Sequence, residues 1–232
     1  MARSLTILND FFSLLFPTYC LGCTGPLARG ENVLCTGCLA DLPKTNYHYF
    51  TENPVFSKLA GRLPLSFGSA FLKFRKGGMV QRLLHELKYN NHPEIGVRLG
   101  QAFGHDLLQR GFQSKFDGII PVPLHFSRRR QRGYNQSAAF AEGLSEALGI
   151  WHDDSISIRQ HATSSQTRKS RADRWANVED MFSIRNASAI LDKRILLVDD
   201  VITTGATLEA CGSHLISAGC RSLGIACIAD AL

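Results

Sequence analysis

The segment ILLVDDVITTGAT, residues 195–207, restricts the fold of this chain more than any other part of its sequence. Its four leading apolar residues predict a buried strand, and the adjacent carboxylates Asp199 and Asp200 follow at the C-terminal end of that strand. Open α/β sheets bind ligands at that edge, where carboxylates accept hydrogen bonds from sugar hydroxyls or reach a divalent ion. A loop rich in threonine and glycine then leads into a helix, whose first N–H groups attract phosphate. The segment therefore predicts a site for a phosphorylated sugar; a plain strand–turn–helix with a threonine cap is the alternative.

Strands and helices alternate along the chain after residue 64. Apolar runs predict strands at residues 66–74, 116–122, 195–198 and 223–229, with shorter ones at 155–159 and 181–185. Helical periodicity predicts helices at residues 79–89, 93–110, 135–148 and 205–217. This order predicts an α/β fold whose mostly parallel sheet is flanked by helices on both faces. We expect residues 65–232 to form that domain, residues 44–64 a linker, and residues 1–43 a small module that begins with a helix over residues 5–16.

Four of the seven cysteines form the pattern C-x2-C-x11-C-x2-C, with Cys20, Cys23, Cys35 and Cys38. Each C-x2-C turn brings two sulfurs to one side of a tight loop, so two such turns can surround one ion tetrahedrally. We expect a structural Zn²⁺ held by four thiolates. Two disulfides, a redox pair and an iron centre are the alternatives. The three cysteines beyond residue 210 lie in apolar surroundings and are expected in the core.

The charge of the chain is modest in total but concentrated in places. Its 232 residues include 26 lysines and arginines against 20 acidic residues, a formal net charge of +6. Residues 58–98 contain eight basic and two acidic residues, and a second basic run spans residues 128–132. Solvated faces, or attraction to phosphates that are free or in nucleic acid, would explain such runs. No apolar run is long enough to span a membrane and no secretion signal is recognised, so we expect a cytoplasmic protein without membrane insertion.

Residues 195–207 resemble the phosphoribosyl pyrophosphate (PRPP) motif of type I phosphoribosyltransferases. The resemblance implies that the two carboxylates contact the ribose hydroxyls and that the following loop wraps the 5′-phosphate. It also implies Mg²⁺, which accompanies PRPP in such enzymes. The PRPP-binding residues would be Asp199, Asp200, Val201, Ile202, Thr203, Thr204, Gly205, Ala206 and Thr207.

Further segments resemble one family with this fold, the ComF or GntX-like competence proteins. They are Pro121–Leu124, Arg132–Gln136, Gln166, the pattern from Arg174 to Phe182, and the N-terminal four-cysteine module. The resemblance implies a type I phosphoribosyltransferase fold that binds PRPP or a related phosphate ligand. It also implies handling of single-stranded DNA in natural transformation, with a competence helicase as a partner. The alternative is an active phosphoribosyltransferase that moves phosphoribose from PRPP to an unidentified acceptor.

The remaining candidate residues form three groups. In type I enzymes the loop after the first core strand holds pyrophosphate. The resemblance therefore implies that Arg128, Arg132 and Asn135 contact pyrophosphate here. Asn135 is also expected to cap the next helix. A polar stretch at residues 161–174 matches the hood over the substrate in catalytic relatives, and Lys169 is its candidate catalytic cation. Basic residues interleaved with aromatic ones are the candidate contacts to single-stranded DNA. These are Lys73, Arg75, Lys76, Lys88 and Tyr89.

Overall fold

The computed structural model describes residues 17–159 and 181–231, so the helix predicted at residues 5–16 lies outside the described residues. Within these ranges the helices are α1 (Thr36–Ala40), α2 (Pro54–Leu59), α3 (Met79–Tyr89), α4 (Pro93–Leu108), α5 (Phe126–Arg132), α6 (Gln136–Leu148) and α7 (Ala206–Ser217). The strands are β1 (Leu65–Lys73), β2 (Gly118–Pro121), β3 (Trp151–His152), β4 (Ser157–Arg159), β5 (Phe182–Ile184), β6 (Arg194–Ile202) and β7 (Ser222–Asp230). None of the described helices combines the length and hydropathy needed to cross a membrane.

Five strands form one parallel sheet in the order β1-β7-β6-β2-β3, and β4 pairs with β5 in a separate antiparallel ribbon. Strand β6 lies at the centre, where Leu197 pairs with Ile120 of β2 and with Ile225 of β7. Because these strands are parallel, their C-terminal ends meet at one edge of the sheet. The predicted α/β fold with a mostly parallel sheet is confirmed.

Helices cover both faces of the sheet, and each face has its own hydrophobic core. On one face Leu196 and Val198 of β6 pack with residues of α3, α4 and α6. On the other face Ile195 and Leu197 pack with residues of α2 and α7. The two sets alternate because successive side chains of a strand point to opposite faces. A strand buried on both faces must be apolar throughout, which is why β6 begins as a continuous apolar run.

Most of the predicted elements are present, and the differences involve short elements. Helix α3 spans the predicted residues 79–89, whereas β6 continues past the apolar run through Ile202 because its pairing with β7 continues. The sequence did not predict α1, α2, α5 or β3, which contain five, six, seven and two residues. Elements of this length have too few residues to show a recognisable period. As a result, a stretch expected to be a loop, residues 123–135, contains helix α5.

Helices α4 and α6 approach each other closely through glycine. A Cβ atom on Gly100 would lie 2.4 Å from the carbonyl oxygen of Phe140, and one on Gly143 would lie 2.0 Å from the carbonyl oxygen of Val97. Backbone contacts this close leave no room for a side chain, so these positions determine the distance between the helices. Helix α6 carries Ser137 in its first turn, and the helix packing therefore also positions that residue.

We expect Gly143→Ala to destabilise the chain. At an exposed helical position, replacing glycine with alanine stabilises a protein by roughly 1 kcal/mol. Here the added methyl group would clash with the backbone of Val97. Overpacking of this kind costs about 2–3 kcal/mol, which corresponds to a thermal midpoint lowered by roughly 5–10 °C. Glu142→Ala, at an exposed position of the same helix, is the matched control and is expected to change the midpoint little. An unchanged midpoint for Gly143→Ala would contradict this account of the packing.

The segment between the cysteine module and the sheet packs against β1. The backbone N–H of Thr45 donates to the carbonyl of Phe71 at 2.9 Å. Asn53 caps α2, since its Oδ1 accepts from two N–H groups of the first turn, while its Nδ2 donates to the carbonyl of Gly68 at 2.8 Å. These contacts hold α2 beside the sheet, and Leu59 at its end lies under the loop that follows β6.

Candidate functional site

The aspartate pair, Asp199 and Asp200, lies on the C-terminal half of the central strand β6. Oδ1 of Asp199 accepts hydrogen bonds from Oγ of Ser137 at 2.9 Å and from the backbone N–H of Asp200 at 2.8 Å. Oδ2 of Asp200 forms a salt bridge with Nζ of Lys88 at 2.9 Å. Residues of α3, α6 and β6 therefore fix the orientation of both carboxylates. Two fixed, partly exposed carboxylates on successive residues can accept hydrogen bonds from neighbouring hydroxyl groups of a ligand at this edge.

The pKa of Asp199 lies well above that of an ordinary aspartate. Burial, together with the nearby charge of Asp200, raises the pKa of Asp199 to about 7. The hydrogen bonds from Ser137 and from the N–H of Asp200 act in the opposite direction but are outweighed. A carboxylate with such a pKa gains most from a ligand that supplies hydroxyl donors or positive charge.

The loop after β6 lies beside two cations that the sequence analysis did not assign to the site. Nη1 of Arg62 donates to the carbonyl of Thr204 at 2.9 Å, and Nζ of Lys58 donates to the carbonyl of Thr203. Gly205 has φ of +78°, and a Cβ there would lie 2.8 Å from Cδ2 of Leu59, so glycine is needed both for the conformation and for the space. Helix α7 begins immediately afterwards, and its first N–H groups attract anions, while Glu209 in its first turn pairs with Arg62.

A cleft of about 470 Å³ adjoins the aspartate pair on the side of Lys88. The guanidinium of Arg132 stacks 5.5 Å from the ring centre of Tyr89, and its Nη1 donates to Oε1 of Gln136 at 2.9 Å. We call this the arginine cleft. It is lined by Lys88, Tyr89, Asn91, Arg128, Gln131 and Arg132, none of which is acidic. Lys88 is paired with Asp200, so Arg128 and Arg132 are the cations that can hold an anionic group in the cleft while a neighbouring polar group contacts the aspartates.

Asn135 holds the start of helix α6 in place. Its Oδ1 accepts from the N–H of Ser137 at 3.2 Å, which confirms the predicted cap of α6, and its Nδ2 donates to the carbonyl of Val122 at 3.0 Å. Both polar groups of the buried side chain are therefore used within the fold. Asn135 contributes by orienting the first turn of α6, from which Ser137 reaches Asp199.

The five DNA candidates divide into two groups in the structure. Lys73, Arg75 and Lys76 are exposed where β1 ends, at the same edge of the sheet as the aspartate pair. Lys88 and Tyr89 instead line the arginine cleft, and Lys88 is paired with Asp200. Lys88 and Tyr89 therefore lie beside the aspartate pair.

Several sequence candidates lie outside the described residues. They are the hood at residues 161–174 with Lys169 and Gln166, and the part of the ComF-like pattern at Arg174, Asn177 and Val178.

Three side chains of the site were missed by sequence reasoning, namely Lys58, Arg62 and Ser137. Lys58 and Arg62 fall in residues 44–64, which were predicted to be a linker. The sequence does contain a signal for α2. Asparagine followed by proline often begins a helix, and here Asn53 caps α2 and Pro54 is its first residue. No local signal connects these cations to the loop after β6, since the contact of Lys58 with Thr203 spans 145 residues of sequence.

The second candidate site is the cysteine cluster, Cys20, Cys23, Cys35 and Cys38, whose four Sγ atoms all lie within 4.8 Å of one another. Burial raises the pKa of the Cys20 thiol, but hydrogen bonds outweigh it and lower that pKa to about 6; two of the donors are the N–H groups of Gly22 and Cys35, at 3.3 and 3.2 Å. A Cβ on Gly22 would lie 2.9 Å from Sγ of Cys38, so glycine makes room for the cluster. Four close sulfurs can hold one metal ion and suit tetrahedral Zn²⁺.

The late cysteines do not belong to this cluster. Cys211 and Cys227 are fully buried in the core, as predicted, and Cys220 is partly buried against the same core. Burial raises the pKa of each of these thiols, so they remain protonated core residues.

Comparison with known proteins identifies the family. The model of the phosphoribosyl transferase domain matches residues 119–232. The chain is 30% identical over 228 residues to Competence protein F of Haemophilus influenzae, covering 89% of this chain and 92% of that protein. It is also 30% identical over 240 residues to DNA utilization protein YhgH of Escherichia coli O6:H1, covering 94% of this chain and 100% of that protein. Competence protein ComFC of Streptococcus pneumoniae is 36% identical over 105 residues, which are 45% of this chain and 44% of that protein. The chain therefore belongs to the ComF family of proteins with a phosphoribosyltransferase domain.

Proposed function

We propose that the chain binds PRPP together with Mg²⁺ at the C-terminal edge of its sheet. The observation that carries the proposal is the aspartate pair, held by Ser137 and Lys88 between a glycine-containing loop and the arginine cleft. In this proposal Asp199 and Asp200 accept hydrogen bonds from the ribose hydroxyls, and residues 201–207 bind the 5′-phosphate at the start of α7. The arginine cleft takes the pyrophosphate through Arg128 and Arg132, with Mg²⁺ supplying further positive charge on its oxygens.

We further propose that the chain acts in DNA uptake and utilisation and contacts single-stranded DNA. Support comes from family membership, because its relatives are named as competence proteins and DNA utilization proteins. The exposed cations Lys73, Arg75 and Lys76 are proposed phosphate contacts at the same edge as the PRPP site. A helicase of the competence apparatus would then be a protein partner.

A second candidate function is phosphoribosyl transfer to an acceptor. The arginine cleft supports it, because Arg128 and Arg132 could stabilise a pyrophosphate leaving group as it departs. In this case Lys169 in the hood is the proposed catalytic cation. The acceptor would attack the ribose carbon while the bond to pyrophosphate breaks.

We also propose that the cysteine cluster holds one structural Zn²⁺. The donor set of four sulfurs leaves no open coordination position, so the ion would stabilise the fold without taking part in a reaction. Thiolate ligands require a reducing compartment, which is why the proposal places the chain in the cytoplasm.

Calorimetric titration of the full chain with PRPP and Mg²⁺ tests the binding proposal. We expect saturable binding of one PRPP per chain, and weaker binding of ribose 5-phosphate or pyrophosphate alone, because each engages only part of the site. A titration that shows no binding of PRPP would overturn the proposal. Phosphorus NMR of the same mixture, with candidate bases and with single-stranded DNA, then separates the two functions. Acceptor-dependent release of pyrophosphate would establish a transferase, and binding without release would favour a PRPP-binding DNA protein.

A further inference from the structure

A second cleft lies at the opposite edge of the sheet, away from the aspartate pair. It has a volume of about 740 Å³, and residues at the N-terminal ends of β1, β6 and β7 contribute to its wall. We call it the basal cleft and define it by the lining residues used below: Tyr49, Phe50, Arg110, Phe112, Lys115 and Arg194. None of the functions proposed above uses this cleft.

Aromatic rings are the first notable property of the basal cleft. Tyr49 and Phe50 are 46% and 61% exposed, although large aromatic side chains are usually buried in a folded core. Behind them Phe67, Phe112 and Phe116 form a cluster, with ring centres 4.8, 5.9 and 6.5 Å apart. The cleft therefore has an aromatic floor and two exposed rings at its rim. The Tyr49 ring is contacted by His48, with ring centres 4.2 Å apart, and by the guanidinium of Arg110, so Phe50 is the more accessible of the two. Exposed aromatic rings stack with planar, unpaired bases.

Positive charge is the second property. Among the described residues that line the basal cleft are the cations Arg110, Lys115 and Arg194, and none of these described residues is acidic. Arg194 is neutralised by a two-point contact with Asp117. Arg110 and Lys115 form no salt bridge within residues 17–159 and 181–231. Their charges are therefore available to a polyanion.

The aromatic and cationic groups lie next to each other. The guanidinium of Arg110 stands 4.8 Å from the ring centre of Tyr49, and Nζ of Lys115 stands 4.1 Å from the ring centre of Phe112. A ligand that places a base on a ring would therefore bring its phosphate within reach of a cation. Single-stranded nucleic acid offers this combination, whereas duplex DNA keeps its bases stacked inside.

We propose that the basal cleft binds single-stranded DNA, with bases stacked on Tyr49 and Phe50 and phosphates contacted by Arg110 and Lys115. The inference rests on the proposed role in DNA handling and adds a contact surface on the edge opposite the PRPP site. DNA bound there would leave the aspartate pair free for PRPP.

Fluorescence anisotropy with a labelled oligothymidylate of about 20 nucleotides tests the proposal on the full chain. We expect Tyr49→Ala combined with Phe50→Ala to weaken binding by roughly 10-fold or more, because each lost stacking contact contributes substantially. Arg110→Gln combined with Lys115→Gln should weaken binding and reduce the magnitude of the slope of log affinity against log salt by about 1.4. Arg29→Gln combined with Arg82→Gln removes the same charge at exposed positions elsewhere and should retain most of the affinity.

The outcomes separate this inference from the proposed function. If the unaltered chain binds the oligonucleotide and both basal-cleft variants bind as well as the Arg29/Arg82 control, the basal cleft is not the DNA site, while the DNA role stands. If the unaltered chain does not bind, the DNA role fails and this inference fails with it. Equal affinity for a duplex of the same length would overturn the stacking contact. PRPP titration of each variant checks that it is folded, and the charge variant provides the test if the aromatic variant does not fold.

Discussion

Replacing Asp199 and Asp200 together with asparagine is expected to weaken PRPP binding by at least about 100-fold while the chain stays folded. Each carboxylate would lose its charge-assisted hydrogen bonds to the ribose, worth about 1.5–3 kcal/mol apiece, and the two losses combine. Asparagine keeps the size of aspartate, and its Oδ1 can still accept the hydrogen bonds that Ser137 and the backbone of residue 200 donate. Calorimetry with PRPP and Mg²⁺ measures the effect.

The control for this prediction removes two charges elsewhere. Asp192→Asn with Glu52→Gln changes two exposed carboxylates away from the site and should leave PRPP affinity unchanged. If the Asp199/Asp200 variant binds PRPP as tightly as this control, the aspartate pair does not form the ribose site.

The raised pKa of Asp199 predicts how the stability of the folded chain depends on pH, and the single substitution Asp199→Asn tests this dependence. Burial and the charge of Asp200 raise the pKa of Asp199 from 3.8 to about 7 in the folded chain. The folded state therefore binds a proton that the unfolded state has released, and stability falls as pH rises from about 4 to about 7. Asparagine does not titrate, so the Asp199→Asn variant does not lose stability in this way. Allowing for partial exposure, we expect the variant to be about 1–2 kcal/mol more stable than the unaltered chain at pH 7.5, roughly 3–6 °C in thermal midpoint, with a smaller difference at pH 4.5.

Removal of the proposed Zn²⁺ from the cysteine cluster is expected to unfold the N-terminal module. Structural Zn²⁺ sites in small modules contribute apparent binding free energies of about 10–16 kcal/mol, which is more than a short module gains from its own core. Metal analysis of protein purified under reducing conditions should give one zinc per chain, and Cys23→Ser with Cys35→Ser should give none. Because Leu34 and Leu42 pack into the same core as α4, we also expect faster proteolysis and a lower thermal midpoint.

Cys220→Ser is the matched control, since it removes a thiol that lies outside the cluster and should leave the zinc content at one per chain. Iron in the purified protein, or full stability of the doubly substituted chain without metal, would contradict a structural zinc site.

The sequence by itself determined the sheet, the aspartate pair and the cysteine cluster, because each is encoded within a short stretch. A strand buried on both faces must be apolar, so residues 195–198 identify β6 without any distant contact. The carboxylates follow in the same strand, and parallel pairing places the ends of neighbouring strands at one edge. Likewise, the two C-x2-C turns define their cluster locally, and Asn135 identifies the start of α6.

Only the tertiary structure decided which distant side chains surround these groups. Lys88, a candidate contact to DNA, pairs with Asp200. Lys58 and Arg62 reach the loop after β6 from residues 44–64, which were predicted to be a linker. The basal cleft likewise assembles from separated stretches near residues 49, 110 and 194. Such contacts depend on how helices pack on the sheet, which is set by features such as the close glycine contacts of α4 and α6. Local patterns determine which residues are buried, whereas the packing of distant segments determines which polar side chains meet.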